Sequence, residues 1–184
     1  MNMIRRDRAV LAVIDMQERL LGAFPDERRQ PVIDRAELAV DVANILGIPV
    51  IVSEQYPKGL GPTIASLKER IGPGVLPVEK LAFSCGRSPE FRHALEATGK
   101  RDVMILGVEA HVCVLQTTFD LIREGYNVHI VTDAVTSRRD SDRAAGLALM
   151  DRAGAILGTA EIFAFQLLER AGTDEFKKIS KLVR

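Results

Sequence analysis

The rhythm of the sequence limits the folds that it can adopt, because six short apolar runs alternate with longer segments of helical spacing. The runs are rich in β-branched residues and almost continuously apolar, as strands covered on both faces are. Alternation of strand and helix builds a parallel sheet with helical crossovers. The predicted strands are residues 9–14, 49–53, 76–79, 103–107, 128–132 and 155–157.

Helices between and after these strands are predicted from apolar residues at helical spacing. The first has Pro31 at its start and Gly47 just beyond its end, the positions that proline and glycine prefer at helix termini. Two prolines and two glycines in residues 55–62 predict a loop. The predicted helices are residues 32–46, 89–98, 112–124, 141–152 and 160–169.

These elements predict one α/β domain over residues 1–184, a doubly wound, Rossmann-like sheet of six parallel strands with helices on both faces. The usual strand order of such a sheet is 3-2-1-4-5-6. Its ligands bind beyond the carboxyl ends of the strands, above all where strands one and four lie side by side. We therefore expect the chemistry after strands one, three and four.

Charge and hydropathy argue against several classes of partner. The 25 Lys and Arg residues balance 25 Asp and Glu residues, so no excess of positive charge attracts nucleic acid or an anionic membrane. The longest apolar runs are far shorter than the roughly 20 residues that cross a bilayer, and no apolar stretch of signal-peptide length opens the chain. We expect a cytoplasmic protein that binds neither nucleic acid nor membranes.

The sequence also lacks the usual patterns for metal and cofactor binding. Three scattered histidines and two cysteines give no metal-ligand spacing. Neither of the common glycine-rich phosphate-binding motifs occurs. The expected partner is a small-molecule substrate, bound with no metal and no cofactor.

Three side chains with useful chemistry follow different strands: Asp15 after the first, Lys80 after the third and Cys113 after the fourth. Because carboxyl ends of parallel strands share one edge of a sheet, we expect a carboxylate, an ammonium and a thiol to meet there. Cys113 falls in the first turn of a predicted helix, where free N–H groups and the helix dipole favour a thiolate. Each residue also has a plainer interpretation, as a helix cap, a solvated charge and a small buried hydrophobe respectively.

Two neighbouring candidates are weaker. Cys85 has no such position and is interpreted as a structural thiol. His111 lies two residues before Cys113, and residues two apart on a helix or turn point in different directions. We expect His111 to line the site or to support it.

An Asp, a Lys and a Cys after the first, third and fourth strands resemble the signature of the isochorismatase-like cysteine hydrolases. The match is carried by Asp15, Lys80 and Cys113. Further segments resemble the branch of isochorismatase domain-containing proteins, and the likeness extends over about residues 9–181. These segments are residues 13–17, 54–61, 83–85, 107–113 and 132–134.

The resemblance implies a metal-independent cysteine amidohydrolase that cleaves a C–N bond of a small amide or carbamoyl compound through a thioester. Cys113 would attack the carbonyl, Asp15 would accept the thiol proton, and Lys80 would stabilise the anionic partners. Backbone N–H groups of Glu109 and Cys113 would form the oxyanion hole. The peptide bond between Val108 and Glu109 would be cis.

Further expectations concern the substrate pocket and assembly. Candidate substrate-binding residues are Phe24, Tyr56, Phe83 and His111. The resemblance also implies a homo-oligomer, a dimer or larger, and residues 173–184 carry apolar residues at helical spacing. Alternatively, this apolar stripe of residues 173–184 packs on its own subunit.

Other functions remain open at this stage. A vinyl-ether or ester hydrolase could use Asp15 as a general acid and leave Cys113 a bystander. A signalling receiver module would need a phosphoacceptor Asp where this chain has Lys80. The same fold could also serve a non-catalytic interaction protein, because a fold does not determine a function.

Overall fold

A computed structural model describes residues 3–183. Its six strands form one parallel sheet in the order β3-β2-β1-β4-β5-β6. The predicted fold class and strand order are therefore confirmed. The strands are β1 (Ala9–Ile14), β2 (Val50–Gln55), β3 (Val78–Lys80), β4 (Asp102–Val108), β5 (Asn127–Thr136) and β6 (Ile156–Gly158).

The helices cover both faces of the sheet. Helices α1, α2, α4, α8 and α9 pack on one face, and α5, α6 and α7 pack on the other. Within residues 3–183, no helix has the length and apolar character needed to cross a membrane. The helices are α1 (Glu18–Gly22), α2 (Asp26–Leu46), α3 (Pro57–Leu60), α4 (Ala65–Ile71), α5 (Pro89–Ala97), α6 (Leu115–Arg123), α7 (Asp140–Arg152), α8 (Ala160–Leu168) and α9 (Asp174–Leu182).

Strand β1 shows why the predicted strands read as continuous apolar runs. All six of its residues are buried. Leu11 and Val13 join the core cluster of one face, and Val10 and Ala12 join the cluster of the other. Alternate side chains of a strand point to opposite faces, so a strand covered on both sides must be apolar at every position.

Several predicted boundaries differ from the observed ones. Helix α2 begins at Asp26, so Pro31 lies inside the helix rather than at its start. The N–H that proline lacks would have bonded to the carbonyl of Glu27, an exposed residue that water can reach. Acidic residues in the first turn suit the helix dipole. The predicted loop 55–62 contains the single helical turn α3.

The carboxyl-terminal stripe packs on its own chain. In α9, Ile179 is fully buried, and Phe176 is half-buried against the same core cluster. Leu182 remains 42% exposed. Two of the three apolar residues that suggested an interface, Phe176 and Ile179, therefore pack within the chain, and only Leu182 is exposed.

Candidate active site

Asp15, Lys80 and Cys113 come together where β1, β3 and β4 end. The Lys80 Nζ atom lies 2.7 Å from Asp15 Oδ2, and both side chains are 1% exposed or less. The thiol of Cys113 lies close enough to the same carboxylate for Asp15 to raise the pKa of the thiol. One buried carboxylate thus pairs with an ammonium and lies beside a thiol.

Asp15 sits in a sharp turn directly after β1. Its φ of 53° lies in the left-handed region, which Asp tolerates better than most residues. The turn is closed by the N–H of Gln17, which donates to the carbonyl of Asp15 over 2.8 Å. The Oδ1 atom of Asp15 accepts a hydrogen bond from Ser53 Oγ at 2.7 Å. Both carboxylate oxygens therefore have a donor, Ser53 from β2 and Lys80 from β3.

Lys80 is a buried ammonium with a partner for each of its three protons. Its Nζ atom donates to Asp15 Oδ2 at 2.7 Å, to Gln55 Oε1 at 2.7 Å and to the carbonyl of Phe83 at 3.1 Å. Burial alone lowers the pKa of Lys80, but the charge of Asp15 and smaller contributions from the two thiols turn the net shift upward. Lys80 therefore stays protonated at neutral pH.

Cys113 lies in a π-helical turn, Ala110–Val114, that leads into α6. Burial raises the pKa of its thiol, and the charge of Asp15 raises it further, while Lys80 opposes both effects. The expected thiolate at a helix start is therefore wrong for this structure, because burial and the adjacent carboxylate outweigh the helix terminus. A neutral thiol needs a base at the moment it reacts, and the nearby Asp15 carboxylate can act as that base.

Sequence reasoning missed three residues of this cluster. Ser53 and Gln55 lie at the end of β2. Ser53 donates a hydrogen bond to Asp15, and Gln55 accepts one from Lys80. Cys85, interpreted as a structural thiol, donates to Ser53 Oγ at 3.4 Å. The available signal was the run of three polar residues, 53–55, that ends β2, the strand that the predicted order places beside β1.

The segment before Cys113 has the predicted backbone form, with a cis peptide bond between Val108 and Glu109. The Glu109 carboxylate accepts hydrogen bonds from the N–H and Nε of Arg138, at 3.0 and 3.1 Å. Its side chain is thereby tied to the loop after β5. The assignment of the Glu109 and Cys113 N–H groups to an oxyanion hole stays a prediction.

The four candidate substrate-binding residues lie in different surroundings. Tyr56 and Phe83 are 51% and 53% exposed. The N–H of Tyr56 donates to the carbonyl of Lys80, and the carbonyl of Phe83 accepts a hydrogen bond from Lys80 Nζ. His111 is half-buried, with Nδ1 2.9 Å from Ser137 Oγ. Phe24 differs, because it is 4% exposed and packs in the core cluster of the face opposite to that of Cys113. The structure thus gives Phe24 a packing role.

The acidic residue that follows Ser53 has a structural partner. Glu54 is buried, and its Oε1 atom accepts hydrogen bonds from the N–H and Oγ1 of Thr63, at 2.7 and 2.8 Å. Across residues 3–183, no three His, Cys, Asp or Glu side chains are grouped so that they could hold a metal ion.

Fold and sequence together define the class of this chain. A sequence model of the isochorismatase domain matches residues 9–162, and the chain belongs to this family of hydrolases, as the resemblance predicted. It is 38% identical over 180 residues to isochorismatase domain-containing protein 2 of Pongo abelii, an alignment covering 96% of this chain and 83% of that protein.

Two solved structures extend the comparison. The MAR1 ribonuclease of Caenorhabditis elegans superposes with a TM-score of 0.92 at 39% identity, over 99% of this chain and 92% of that one. YcaC of Pseudomonas aeruginosa, solved with hexane-2,5-diol and covalent acrylamide, gives a TM-score of 0.88 at 27% identity, over 98% of this chain and 91% of that one.

Proposed function

We propose that this chain is a metal-independent cysteine hydrolase that cleaves a C–N bond of a small amide or carbamoyl compound through a thioester on Cys113. One observation carries the proposal: a buried carboxylate, Asp15, pairs with the Lys80 ammonium and lies close enough to the Cys113 thiol to raise its pKa. A nucleophile, a proton carrier and a fixed cation are the parts that acyl transfer needs. The covalent acrylamide reported for the Pseudomonas aeruginosa structure is consistent with a reactive nucleophile in this family.

In the first half of the reaction, the Cys113 sulfur bonds to the carbonyl carbon while its proton passes to Asp15. The carbonyl electron pair moves onto oxygen, and the N–H groups of Glu109 and Cys113 donate to the resulting oxyanion. Asp15 then gives the proton to the nitrogen, the C–N bond breaks, and the amine leaves. Lys80 keeps Asp15 oriented and balances its charge throughout.

In the second half, a water molecule attacks the thioester as Asp15 removes its proton. The C–S bond breaks, the sulfur recovers a proton from Asp15, and the acid product leaves. One water is consumed for each C–N bond cleaved, and the side chains return to their starting states. Cys113 is only 6% exposed and Asp15 is fully buried, which favours a small substrate.

A screen of small amides and carbamoyl compounds tests the proposal. Cys113→Ala should abolish turnover of any compound that the wild type hydrolyses, and Cys113→Ser should lower it severely, because a hydroxyl is a poorer nucleophile than a thiol. Circular dichroism confirms that each variant is folded. Undiminished turnover by Cys113→Ala on a confirmed substrate would refute the thioester.

Labelling with acrylamide provides a test that needs no substrate. The wild type should gain one adduct at Cys113 by peptide mass spectrometry, and Cys113→Ala should gain none, because Cys85 is fully buried. The matched variant Cys85→Ala keeps Cys113 and should still gain one adduct. Labelling at Cys85 instead would contradict the assignment of the nucleophile.

The same screen separates the competing reactions. Vinyl ethers and esters belong in it, because hydrolysis of a vinyl ether that survives Cys113→Ala would favour Asp15 as a general acid. RNA belongs in it because one similar structure is named a ribonuclease, although the net charge of zero gives no reason to expect binding. Turnover should also persist after exhaustive chelation, and activity lost to a chelator and restored by a metal would refute metal independence.

A further inference from the structure

Ser53 forms two hydrogen bonds with Asp15, one through its main chain and one through its side chain. Its carbonyl accepts the N–H of Asp15 at 3.1 Å, and its Oγ atom donates to Asp15 Oδ1 at 2.7 Å. The strand register places Ser53 opposite Ile14, the residue just before Asp15. Ser53 is fully buried, so water does not compete for these bonds.

The direction of the Ser53 hydroxyl is fixed by its other neighbour. The Cys85 thiol donates to Ser53 Oγ at 3.4 Å, and a hydroxyl has a single proton to give. With an oxygen lone pair occupied by the thiol, that proton is directed to Asp15. Burial raises the pKa of Cys85 to about 11, so this thiol remains a donor at neutral pH.

The two oxygens of Asp15 therefore have different partners. Lys80, at the end of β3, holds Oδ2, and Ser53, at the end of β2, holds Oδ1. The titratable groups facing this carboxylate are Lys80 from β3, Cys113 from the π-helical turn and, through Ser53, Cys85 from the 3-10 turn Cys85–Arg87. A carboxylate held at both oxygens cannot rotate, and it presents a fixed acceptor to the thiol.

We propose that Ser53 is a positioning residue, which holds the Asp15 carboxylate toward Cys113 and sets the pH range in which it can accept the thiol proton. This inference rests on the proposed function. Hydrogen bonds to a carboxylate stabilise its ionised form, and only the ionised form can take a proton from Cys113. Loss of the Ser53 hydroxyl should therefore move the onset of thiol reactivity to higher pH.

The test measures the rate of acrylamide labelling at Cys113 as a function of pH, resolved by peptide mass spectrometry. In Ser53→Ala the acid-side midpoint of the rate profile should rise by about one pH unit, the size expected when a carboxylate loses one hydrogen bond. Ser53→Thr keeps the hydroxyl and should restore a midpoint close to that of the wild type. If Ser53→Ala does not fold, Ser53→Cys, a weaker donor of similar size, replaces it and should raise the midpoint above that of the wild type by a smaller amount.

Thr117→Val is the matched control. The Thr117 hydroxyl is also buried, and it accepts the N–H of Cys85 at 2.9 Å. It is separated from Asp15 by Ser53 and Cys85. Its removal should leave the midpoint unchanged. A uniform fall in rate with no change of midpoint in Ser53→Ala would assign Ser53 a packing role only and overturn the inference.

The outcomes also distinguish this inference from the proposed function. If wild-type Cys113 labels with a clear acid-side midpoint that Ser53→Ala shares, the inference fails and the thiol mechanism stands. If Cys113 in the wild type does not label, or labels without an acid-side midpoint, both are refuted.

Discussion

At the scale of single residues, Lys80 and Asp15 form a buried salt bridge in the candidate site. Removing a carboxylate and an ammonium from water costs several kcal/mol for each ion, which their attraction offsets only with good geometry and full hydrogen bonding. The site meets this condition, since Lys80 has three acceptors and Asp15 has a donor at each oxygen. Removal of one partner leaves the other charged and buried.

Lys80→Met should therefore lower the free energy of unfolding by about 3 to 5 kcal/mol, measured by urea denaturation. Arg70→Met is a matched control, because Arg70 pairs with Glu37 and Asp41 but is 39% exposed, and its loss should cost no more than about 1 kcal/mol. Adding Asp15→Asn to Lys80→Met should recover part of the stability. If Lys80→Met and Arg70→Met lowered the free energy of unfolding equally, the Lys80–Asp15 pair would not be buried as described.

His129 makes the free energy of unfolding depend on pH. It is 1% exposed, its Nδ1 has no hydrogen-bond partner within residues 3–183, and burial lowers its pKa to about 4. An unfolded histidine binds its proton near pH 6.5. Between these values the unfolded chain holds more protons than the folded one, so stability falls as the pH falls.

We expect the free energy of unfolding to drop by about 2 kcal/mol from this residue alone between roughly pH 7.5 and pH 5. His129→Leu should remove that part of the loss in urea titrations at the two pH values. His93→Leu, in which an exposed histidine is replaced, should keep the wild-type slope. An unchanged slope in His129→Leu would contradict the burial of a neutral imidazole.

At the scale of elements, close contacts between main chains decide what the sequence could not reveal. Gly107 in β4 has a φ of 131°, and a Cβ atom there would lie 1.9 Å from the carbonyl oxygen of Ile14 in β1. In α7, a Cβ atom on Gly146 would lie 3.1 Å from the carbonyl oxygen of Ala110, at the start of the π-helical turn. Small residues thus allow the segments that carry Asp15 and Cys113 to lie close to their neighbours.

Gly107→Ala should destabilise the protein by about 3 kcal/mol or more, because two strands must separate to admit one methyl group. Gly22→Ala is the control, since a Cβ atom there meets nothing within 4 Å, and its effect should stay within about 0.5 kcal/mol. Thermal or urea unfolding of both variants tests this. Wild-type stability in Gly107→Ala would mean that the strands are not in such close contact.

The elements also show which features of the fold and of the candidate site the sequence could predict. The bounds of β1 were predicted to the residue, because all six of its residues are apolar between polar neighbours. The π-helical turn was not predicted, because helical spacing alone does not distinguish it from an ordinary helix and the close approach of α7 to it is a tertiary contact. Ser53 and Gln55 were missed because their roles depend on the register of β2 against β1 and β3, which periodicity does not fix. Asp15, Lys80 and Cys113 were identified because their strand-end positions alone bring them to one edge.

At the scale of the whole molecule, one patch of exposed apolar surface lies on α8. Ile162 and Phe165 are three residues apart on one side of α8 and are 48% and 42% exposed. They line the same surface cavity as Met3, which is 72% exposed. Exposed apolar patches of this kind often mark contacts between proteins, so the predicted homo-oligomer should use this surface.

Light scattering at micromolar concentration should give a mass of two or more chains for the wild type. The double variant Ile162→Asp with Phe165→Glu should give a lower mass, because charges would be buried at the contact. Leu76→Glu replaces a leucine that is 83% exposed elsewhere and should leave the mass unchanged. A monomeric wild type would refute the oligomer.

The near-complete enclosure of Cys113 has a consequence beyond catalysis. With only 6% of the residue exposed, reagents should react with the sulfur according to their size. Acrylamide should reach it, whereas a bulky disulfide such as oxidised glutathione should not. The same burial would protect the thiol from exchange with large disulfides while small electrophiles still react with it.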